Sequence, residues 1–159
     1  MNNNITMLSK DGLNAKLAEC YVTIDGNRYF LMQAKNIEIN FEKTKSEMKM
    51  LGRLATGHKT TGWNGTGSAT MYYNMPIYRQ LLKQYKDTGV DIYWEMQITN
   101  DDPESSAGRQ TIILYNCNAD GGILAKFDVS SDDTLEEEME FTYEDFEMPE
   151  TFKLLAGMQ

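Results

Sequence analysis

The stretch Glu138–Glu144, EMEFTYE, alternates carboxylates and a threonine with three large apolar side chains. Successive side chains of a β-strand point to opposite faces, so this pattern predicts a strand with one buried face and one polar face. The same alternation recurs in Asp91–Ile98, DIYWEMQI, and in Ile37–Glu42, IEINFE. The chain is therefore predicted to be mainly antiparallel β.

Further strands are predicted on both sides of these segments. Asp25-Gly26 is typical of a two-residue hairpin turn, and Asp120-Gly121-Gly122 is a second turn signal. The Asp101–Gly108 segment predicts a turn-rich connection between strands. The additional predicted strands are Cys20–Ile24, Tyr29–Ala34, Ser68–Tyr73, Arg109–Asn116 and Ile123–Val129.

One helix is predicted to interrupt the strands, over Met75–Thr88. Asn74 suits the N-cap, Pro76 suits the first turn, and Gly89 is a stop signal. The apolar stripe at helical spacing predicts that one face covers the sheet. It consists of Ile77, Tyr78, Leu81, Leu82 and Tyr85.

Length and composition favour one domain over residues 1–159, since 159 residues with 41% hydrophobic content suffice for one core. No apolar run approaches a membrane span, and the start, MNNNITMLSKDG, has no signal-peptide pattern, which predicts a protein made in the cytoplasm. Cys20 and Cys117 have no motif spacing, so both are predicted to be reduced core residues.

The net charge of −9 is unevenly distributed. Asp128–Glu150 carries eleven carboxylates and no lysine or arginine, whereas Phe41–Trp63 has five basic residues against two acidic ones. A basic segment and an acidic body predict complementary surfaces, although both are also compatible with solvated faces. The overall acidity argues against binding DNA by neutralising its phosphates.

The segment Met50–Gly67, MLGRLATGHKTTGWNGTG, holds five of the twelve glycines within sixteen residues. This density predicts an irregular, functional arm between two strands. The arm residues singled out are Leu51, Gly52, Arg53, Gly57, His58, Lys59, Gly62, Trp63, Gly65 and Gly67.

No chemistry of catalysis or cofactor binding emerges from the residue patterns. Gly52 and Gly57-His58-Lys59-Thr60 nearly match a phosphate-binding loop, but His58 shifts the lysine out of register and a strand, not a helix, is expected next. His58 is the only histidine, which disfavours nucleophile–histidine catalysis and zinc sites. No enzyme activity, cofactor or metal is predicted.

Assembly is the interpretation that remains for the arm. Ordering a glycine-rich arm is costly in entropy, and burial against another copy compensates, with Trp63 and Arg53 as interface anchors. The alternative is a long hairpin folded back on its own domain, with Trp63 in a satellite core. A different functional class also stays open: a monomeric β-sandwich module that binds carbohydrate through Tyr72, Tyr93 or Trp63.

Four separated blocks resemble the tail tube proteins of contractile, myophage-like particles of Gram-positive bacteria, a family that includes PBSX-like prophage and R-type bacteriocin inner tubes. The blocks are LGR at 51–53, GHKTTGWNGTGS at 57–68, TNDDPESSAGRQT at 99–111 and FTYEDFEMPE at 141–150.

The resemblance implies a β-sandwich or barrel-like tail-tube fold with one flanking helix and a glycine-rich inter-subunit arm at 50–67. It also implies stacked hexameric rings around a channel, similar to the inner tube of type VI secretion systems. Its partners are further copies, sheath, baseplate and tail terminator proteins, with DNA only as passing cargo and no membrane. Assembly is expected in the bacterial cytoplasm, before release in a virion or phage-tail-like particle.

On this basis, three surfaces receive expected roles. Glu38, Asn40 and Glu42 are candidates to face the lumen. Their rivals are Glu138, Glu140 and Glu144. The helix is expected on the outer wall, with Arg79, Lys83 and Lys86 facing a sheath.

Overall fold

The computed structural model describes residues 6–158. Over that range it contains eight strands, one α-helix and one short 3-10 turn, Ser9–Asp11. The strands are β1 (Ala18–Ile24), β2 (Asn27–Phe30), β3 (Ala34–Met48), β4 (Gly57–Tyr72), β5 (Trp94–Asp101), β6 (Arg109–Ala119), β7 (Glu136–Tyr143) and β8 (Asp145–Glu150), and the helix α1 is Ile77–Thr88. The prediction of a mainly antiparallel β fold with one helix is confirmed. Within the described residues, no helix is long and apolar enough to cross a membrane.

The described residues divide into two compact units, each discontinuous in sequence. The first takes in the described residues up to Met32, Tyr93–Tyr115, and those from Phe146 onward; the second takes in Gln33–Ile92 and Asn116–Asp145. One domain over 1–159 stays a prediction, and its ends, residues 1–5 and 159, lie outside the described residues.

The first unit has the strand order β2-β1-β5-β6, with β8 also paired to β6. Asp25 and Gly26 turn β1 into β2 with φ of 50° and 79°, as a type I′ hairpin requires, so that predicted turn is confirmed. The predicted strand Tyr29–Ala34 is wrong in its extent. A bond from the Met32 N–H to the Phe30 carbonyl, 3.0 Å, bends the chain and ends β2 at Phe30.

The core of the first unit comes from alternate residues of its central strands. Trp94 and Met96 on β5 are buried as the alternation predicts, and Ile98 is half-buried. They lie with Cys20, Val22, Ile24 and Leu114 among the buried apolar side chains. The turn-rich connection before β6 is confirmed, and Gly108 in it has φ of 82°.

The second unit pairs the end of β6 with β7, then β4, then β3, and adds α1. Met139, Phe141 and Tyr143 of β7 are buried as predicted. Ile37 and Ile39 of β3 are only half-buried and Phe41 is exposed, because β3 is paired on one side alone among the described residues. Cys20 and Cys117 are both buried, which confirms their predicted core positions.

Helix α1 begins later than predicted. Pro76, not Asn74, occupies the N-cap position and no side chain caps the first turn. Gly89 ends the helix in the left-handed region with φ of 70°, and its N–H donates to the Tyr85 carbonyl at 2.7 Å, which confirms the predicted stop. Tyr78 is buried, whereas Tyr85 lies on the exposed side and does not join the covering stripe.

The predicted strand Ile123–Val129 is wrong. Residues 120–135 form a connection without a strand, because β7 takes the neighbouring position beside β6 and leaves this segment without a strand partner. Leu124, Phe127 and Val129 are consequently 72%, 84% and 95% exposed.

Candidate functional site

The longest feature of the second unit is the hairpin of β3 and β4. The two strands pair from Ala34 with Met71 to Met48 with Gly57, whereas β7 pairs with β4 only from Gly65 to Tyr72. Residues 43–62, called the arm below, are therefore a two-stranded ribbon with solvent on both faces. An isolated ribbon of this kind is marginally stable in water, so it is suited to pairing with another surface.

The tip of the arm, residues 49–56, is apolar and basic. Leu51 and Leu54 are fully exposed, and the flanking Met50 is 41% exposed. Lys49 and Arg53 give the tip a charge of +2, because it contains no carboxylate. Exposed leucines beside cations are typical of a contact surface rather than of a plain connecting turn.

These boundaries correct the predicted arm at 50–67. β4 begins at Gly57, not at Ser68, so the predicted irregular segment is largely a regular strand. The sequence patterns did not predict the other strand of the arm, residues 43–48 of β3. The run EKTKSE at 42–47 has the length of a strand but contains no apolar residue, which indicates a strand with no buried face.

The glycines of β4 provide space rather than flexibility. Gly52 at the tip has a positive φ of 78°, but Gly57, Gly62, Gly65 and Gly67 do not. A Cβ at Gly65 would lie 2.5 Å from the Tyr143 ring, and one at Gly67 would lie 2.4 Å from Phe141. The last two glycines therefore belong to the packed body and let two aromatic rings cross β4.

Aromatic side chains mark the place where the arm leaves the body. Trp63 stacks on Phe41 with ring centroids 4.8 Å apart, and lies 5.9 Å from the Tyr143 ring. The Tyr143 hydroxyl donates a 2.7 Å hydrogen bond to the Asn40 carbonyl, which ties β7 to β3 across β4. Trp63 is thus fixed at the base of the arm, partly as the folded-back alternative predicts, while the tip stays exposed.

The opposite face of the same three strands is polar. Strand register aligns Glu38 with Ser68 and Glu140, and Asn40 with Thr66 and Thr142. Directly paired residues share a face, so two sets of residues that were rival candidates lie on one surface. This polar face consists of Asn36, Glu38, Asn40, Glu42, Asn64, Thr66, Ser68, Thr70, Glu138, Glu140 and Thr142. Glu144 lies beyond β7 and accepts from the Asn116 side chain at 3.4 Å.

The three basic residues selected on α1 separate into two environments. Lys83 and Lys86 are exposed. Arg79 instead pairs with the buried Glu137, donates to the Met75 carbonyl at 2.7 Å, and places its guanidinium 4.5 Å from the centre of the Tyr73 ring. The sequence indicates this ion pair through the run of acids at 136–138. Alternation with Met139 and Phe141 places Glu137 on the buried face of the strand, where a carboxylate requires a cation.

The arm does not bring its residues together in a catalytic or cofactor-binding arrangement. In the near-match to a phosphate-binding loop, Gly52 lies at the tip and Gly57 begins β4. His58 on that strand is paired with Glu47 of β3, so a strand and not a helix follows the second glycine. Among residues 6–158, no group of three or more His, Cys, Asp or Glu side chains has the arrangement of a metal site.

The family model described as phage tail tube protein matches residues 5–150 of this chain. The phage-like element PBSX protein XkdM of Bacillus subtilis is 43% identical over 127 residues, which cover 80% of this chain and 84% of the relative.

Two solved assemblies contain chains with a similar fold. One is the baseplate of the anti-feeding prophage, with a TM-score of 0.63 at 12% identity, covering 82% of this chain and 91% of the other. The second is the sheath–tube complex of the extracellular contractile injection system PVC, with a TM-score of 0.57 at 10% identity, covering 81% and 86%.

Proposed function

Since the chain belongs to the phage tail tube protein family, we propose that it is a structural subunit that polymerises as stacked hexameric rings around a central channel. Its role in this proposal is mechanical rather than catalytic. The particle is a contractile phage tail or a phage-tail-like bacteriocin, assembled in the bacterial cytoplasm. In support, both similar chains described above come from contractile or phage-like assemblies.

The observation that carries the proposal is the polar face of β3, β4 and β7. The pleat places the apolar side chains of these strands on one side and leaves Glu38, Glu42, Glu138 and Glu140 together on the other. Joined edge to edge around a ring, such sheets present their polar faces to the channel. Carboxylates there repel the phosphates of passing DNA and keep the cargo from adhering.

The outer partners in this proposal are sheath, baseplate and tail terminator proteins. Helix α1 faces the sheath through Lys83 and Lys86, which are exposed, while Arg79 is excluded from that contact because it pairs with Glu137. DNA is only a passing cargo, and no cofactor or membrane takes part.

The arm is the inter-subunit element. Its two strands bury little of their own surface, and its tip exposes leucines that a second copy can cover. The carbohydrate-binding alternative has less support. Trp63 already stacks on Phe41, and the Lys35 ammonium lies 5.4 Å from the centre of the Tyr72 ring, so one face of each ring is engaged.

Negative-stain electron microscopy and sedimentation velocity of the purified protein, over a concentration series, test the proposal. We expect rings or tubes that increase with concentration. A protein that sediments as a monomer at every concentration, including after addition of preformed baseplate or tube fragments as nuclei, would contradict it.

A further inference from the structure

The tip of the arm and the connection at 120–135 are the two surfaces of the second unit that combine exposed apolar side chains with opposite charge. The connection exposes Leu124, Phe127 and Val129. Four carboxylates against one lysine give it a charge of −3, while the tip carries +2. Apolar contact supplies attraction between such surfaces, and opposite charge selects the partner.

Residues 120–135 lie at the far end of β4 from the tip. The Tyr73 N–H donates to the Leu135 carbonyl at 3.0 Å, and the Tyr73 hydroxyl donates to the Leu124 carbonyl at 3.2 Å. The tip begins at the other end, where Gly57 pairs with Met48. The sixteen residues of β4 separate the two ends by about 50 Å, so the tip and this connection of one chain do not meet.

A cleft of about 480 Å³ opens beside this connection. Asp128, Asp133 and Glu136 contribute carboxylates to its lining, and Leu135 contributes an apolar wall. Lys35 already pairs with Glu136, and Asp128 accepts from the Ser130 hydroxyl at 2.6 Å. Asp133 also lines the cleft, and both it and the preceding Asp132 are exposed.

We propose that the arm tip of one copy docks on residues 120–135 of the next copy, with Leu51 and Leu54 against the exposed apolar side chains and Lys49 and Arg53 against the carboxylates. This inference rests on the proposed tube function and names the receiving surface for the arm. Different patches meet on each copy, so the contact is head-to-tail, and in this proposal it repeats along the direction of β4 rather than closing into a ring. That repeat is the geometry by which one ring stacks on another.

Charge reversal on each side, followed by charge exchange, tests the pairing. K49E/R53E sets a negative tip against the negative connection, and D132K/D133K sets a positive connection against the positive tip. Each variant is expected to lower the sedimentable polymer by about tenfold or more, because like charges at an interface cost several kcal/mol. Combining the four substitutions in one chain is expected to restore assembly.

The matched control is K10E/K153E, which reverses two exposed lysines of the first unit and is expected to assemble as the unmodified protein does. Circular dichroism checks that every variant is folded. The inference is overturned if both reversals assemble normally, or if the four-fold variant is folded and stays unassembled. If the unmodified protein forms no rings or tubes at all, the proposed function fails as well, which separates the two claims.

Cross-linking gives a second measurement that does not depend on charge. L54C and V129C each add one exposed cysteine to the two buried ones, and a mixed polymer of the two variants is expected to form a disulfide-linked dimer on oxidation, whereas either variant alone forms none. The double variant in one chain is expected to give a ladder of covalent oligomers. Polymers that contain no cross-linked product would overturn the pairing.

Discussion

The ring of Tyr143 occupies the space where a side chain at Gly65 would begin, since a Cβ there would lie 2.5 Å from two of its ring carbons. Gly65→Ala is therefore expected to lower the free energy of unfolding by about 2 kcal/mol or more, because the ring must move within a packed core. Urea unfolding monitored by circular dichroism measures the change.

Gly62→Ala is the matched control for this substitution. Apart from its two neighbours in the chain, no residue has an atom within 4 Å of a Cβ at Gly62, so the effect on the free energy of unfolding is expected to stay within about 0.5 kcal/mol of zero. Equal losses at both positions would mean that strand glycines matter here for their backbone, and the account of ring packing would be wrong.

The hydrogen bond from the Tyr143 hydroxyl to the Asn40 carbonyl gives a pH-dependent prediction. Tyr143→Phe is expected to cost about 1 kcal/mol at neutral pH. Burial, with a smaller contribution from Cys117, raises the pKa of Tyr143 above its usual 10.0. The folded state therefore retains this proton longer than the unfolded state, and the contribution is fully present below pH 10 and lost as the pH rises through the folded pKa.

Unfolding of wild type and Tyr143→Phe at pH 7 and at several values above pH 10 measures this difference. The gap between the two proteins is expected to narrow as the pH rises. A gap that is constant or grows over that range would count against a buried, donating phenol.

The ion pair between Arg79 and Glu137 connects α1 to β7. Arg79→Met is expected to cost about 2 kcal/mol, because it leaves a carboxylate that is 8% exposed without its cation. Lys83→Met on the exposed side of the helix serves as the control and is expected to be nearly neutral. Thermal unfolding of both variants at pH 7 makes the comparison, and equal melting temperatures would show that Glu137 does not depend on Arg79.

The burial of Cys20 and Cys117 predicts how the two thiols react with a labelling reagent. Burial raises the pKa of the Cys20 thiol to about 12, and Cys117 is fully buried. Thiolates are the reactive form, so neither cysteine is expected to react with Ellman's reagent at pH 8 in the folded protein, and both are expected to react in denaturant. Rapid reaction of one thiol in the native protein would place that residue at an accessible site.

Removal of the arm separates folding from assembly. Replacing residues 44–62 by Asn-Gly joins Lys43 to Trp63 through a two-residue turn at a position where the two are paired in register. The variant is expected to keep its β-rich circular dichroism spectrum and to form no tubes. A longer excision that extended to Gly65 would also disturb the Tyr143 packing and is unsuitable. Tubes built by the armless variant would contradict the role given to the arm.

Alternation of apolar and polar residues predicted the strands that have one buried face and one exposed face. β7 is the clearest example, because Met139, Phe141 and Tyr143 are buried while Glu138 and Glu140 are exposed. The segment at 123–129 showed a comparable pattern and failed, since alternation does not reveal whether a neighbouring strand is available. The part of β3 beyond Phe41 is a strand that the sequence did not predict. Both of its faces are exposed, so its residues do not alternate between apolar and polar.

The candidate site was predicted in part, for a similar reason. Glycine density located the arm region, but glycine has two uses, positive φ and close packing, and only the structure assigns Gly52 to the first and Gly65 to the second. Glu38 and Glu140 lie on one face because of the register between β3, β4 and β7. That register depends on residues far apart in the sequence, so it could not be predicted from local patterns. The tip at 49–56 lies largely within the predicted segment 50–67, but its exposure depends on where β7 stops.

Cryo-electron microscopy of the assembled protein tests the central claim most directly. The account predicts rings of six subunits stacked into a tube, with Glu38 and Glu140 lining the channel. An assembly in which this polar face lies on the outer wall, or in which the subunits form no ring, would contradict it.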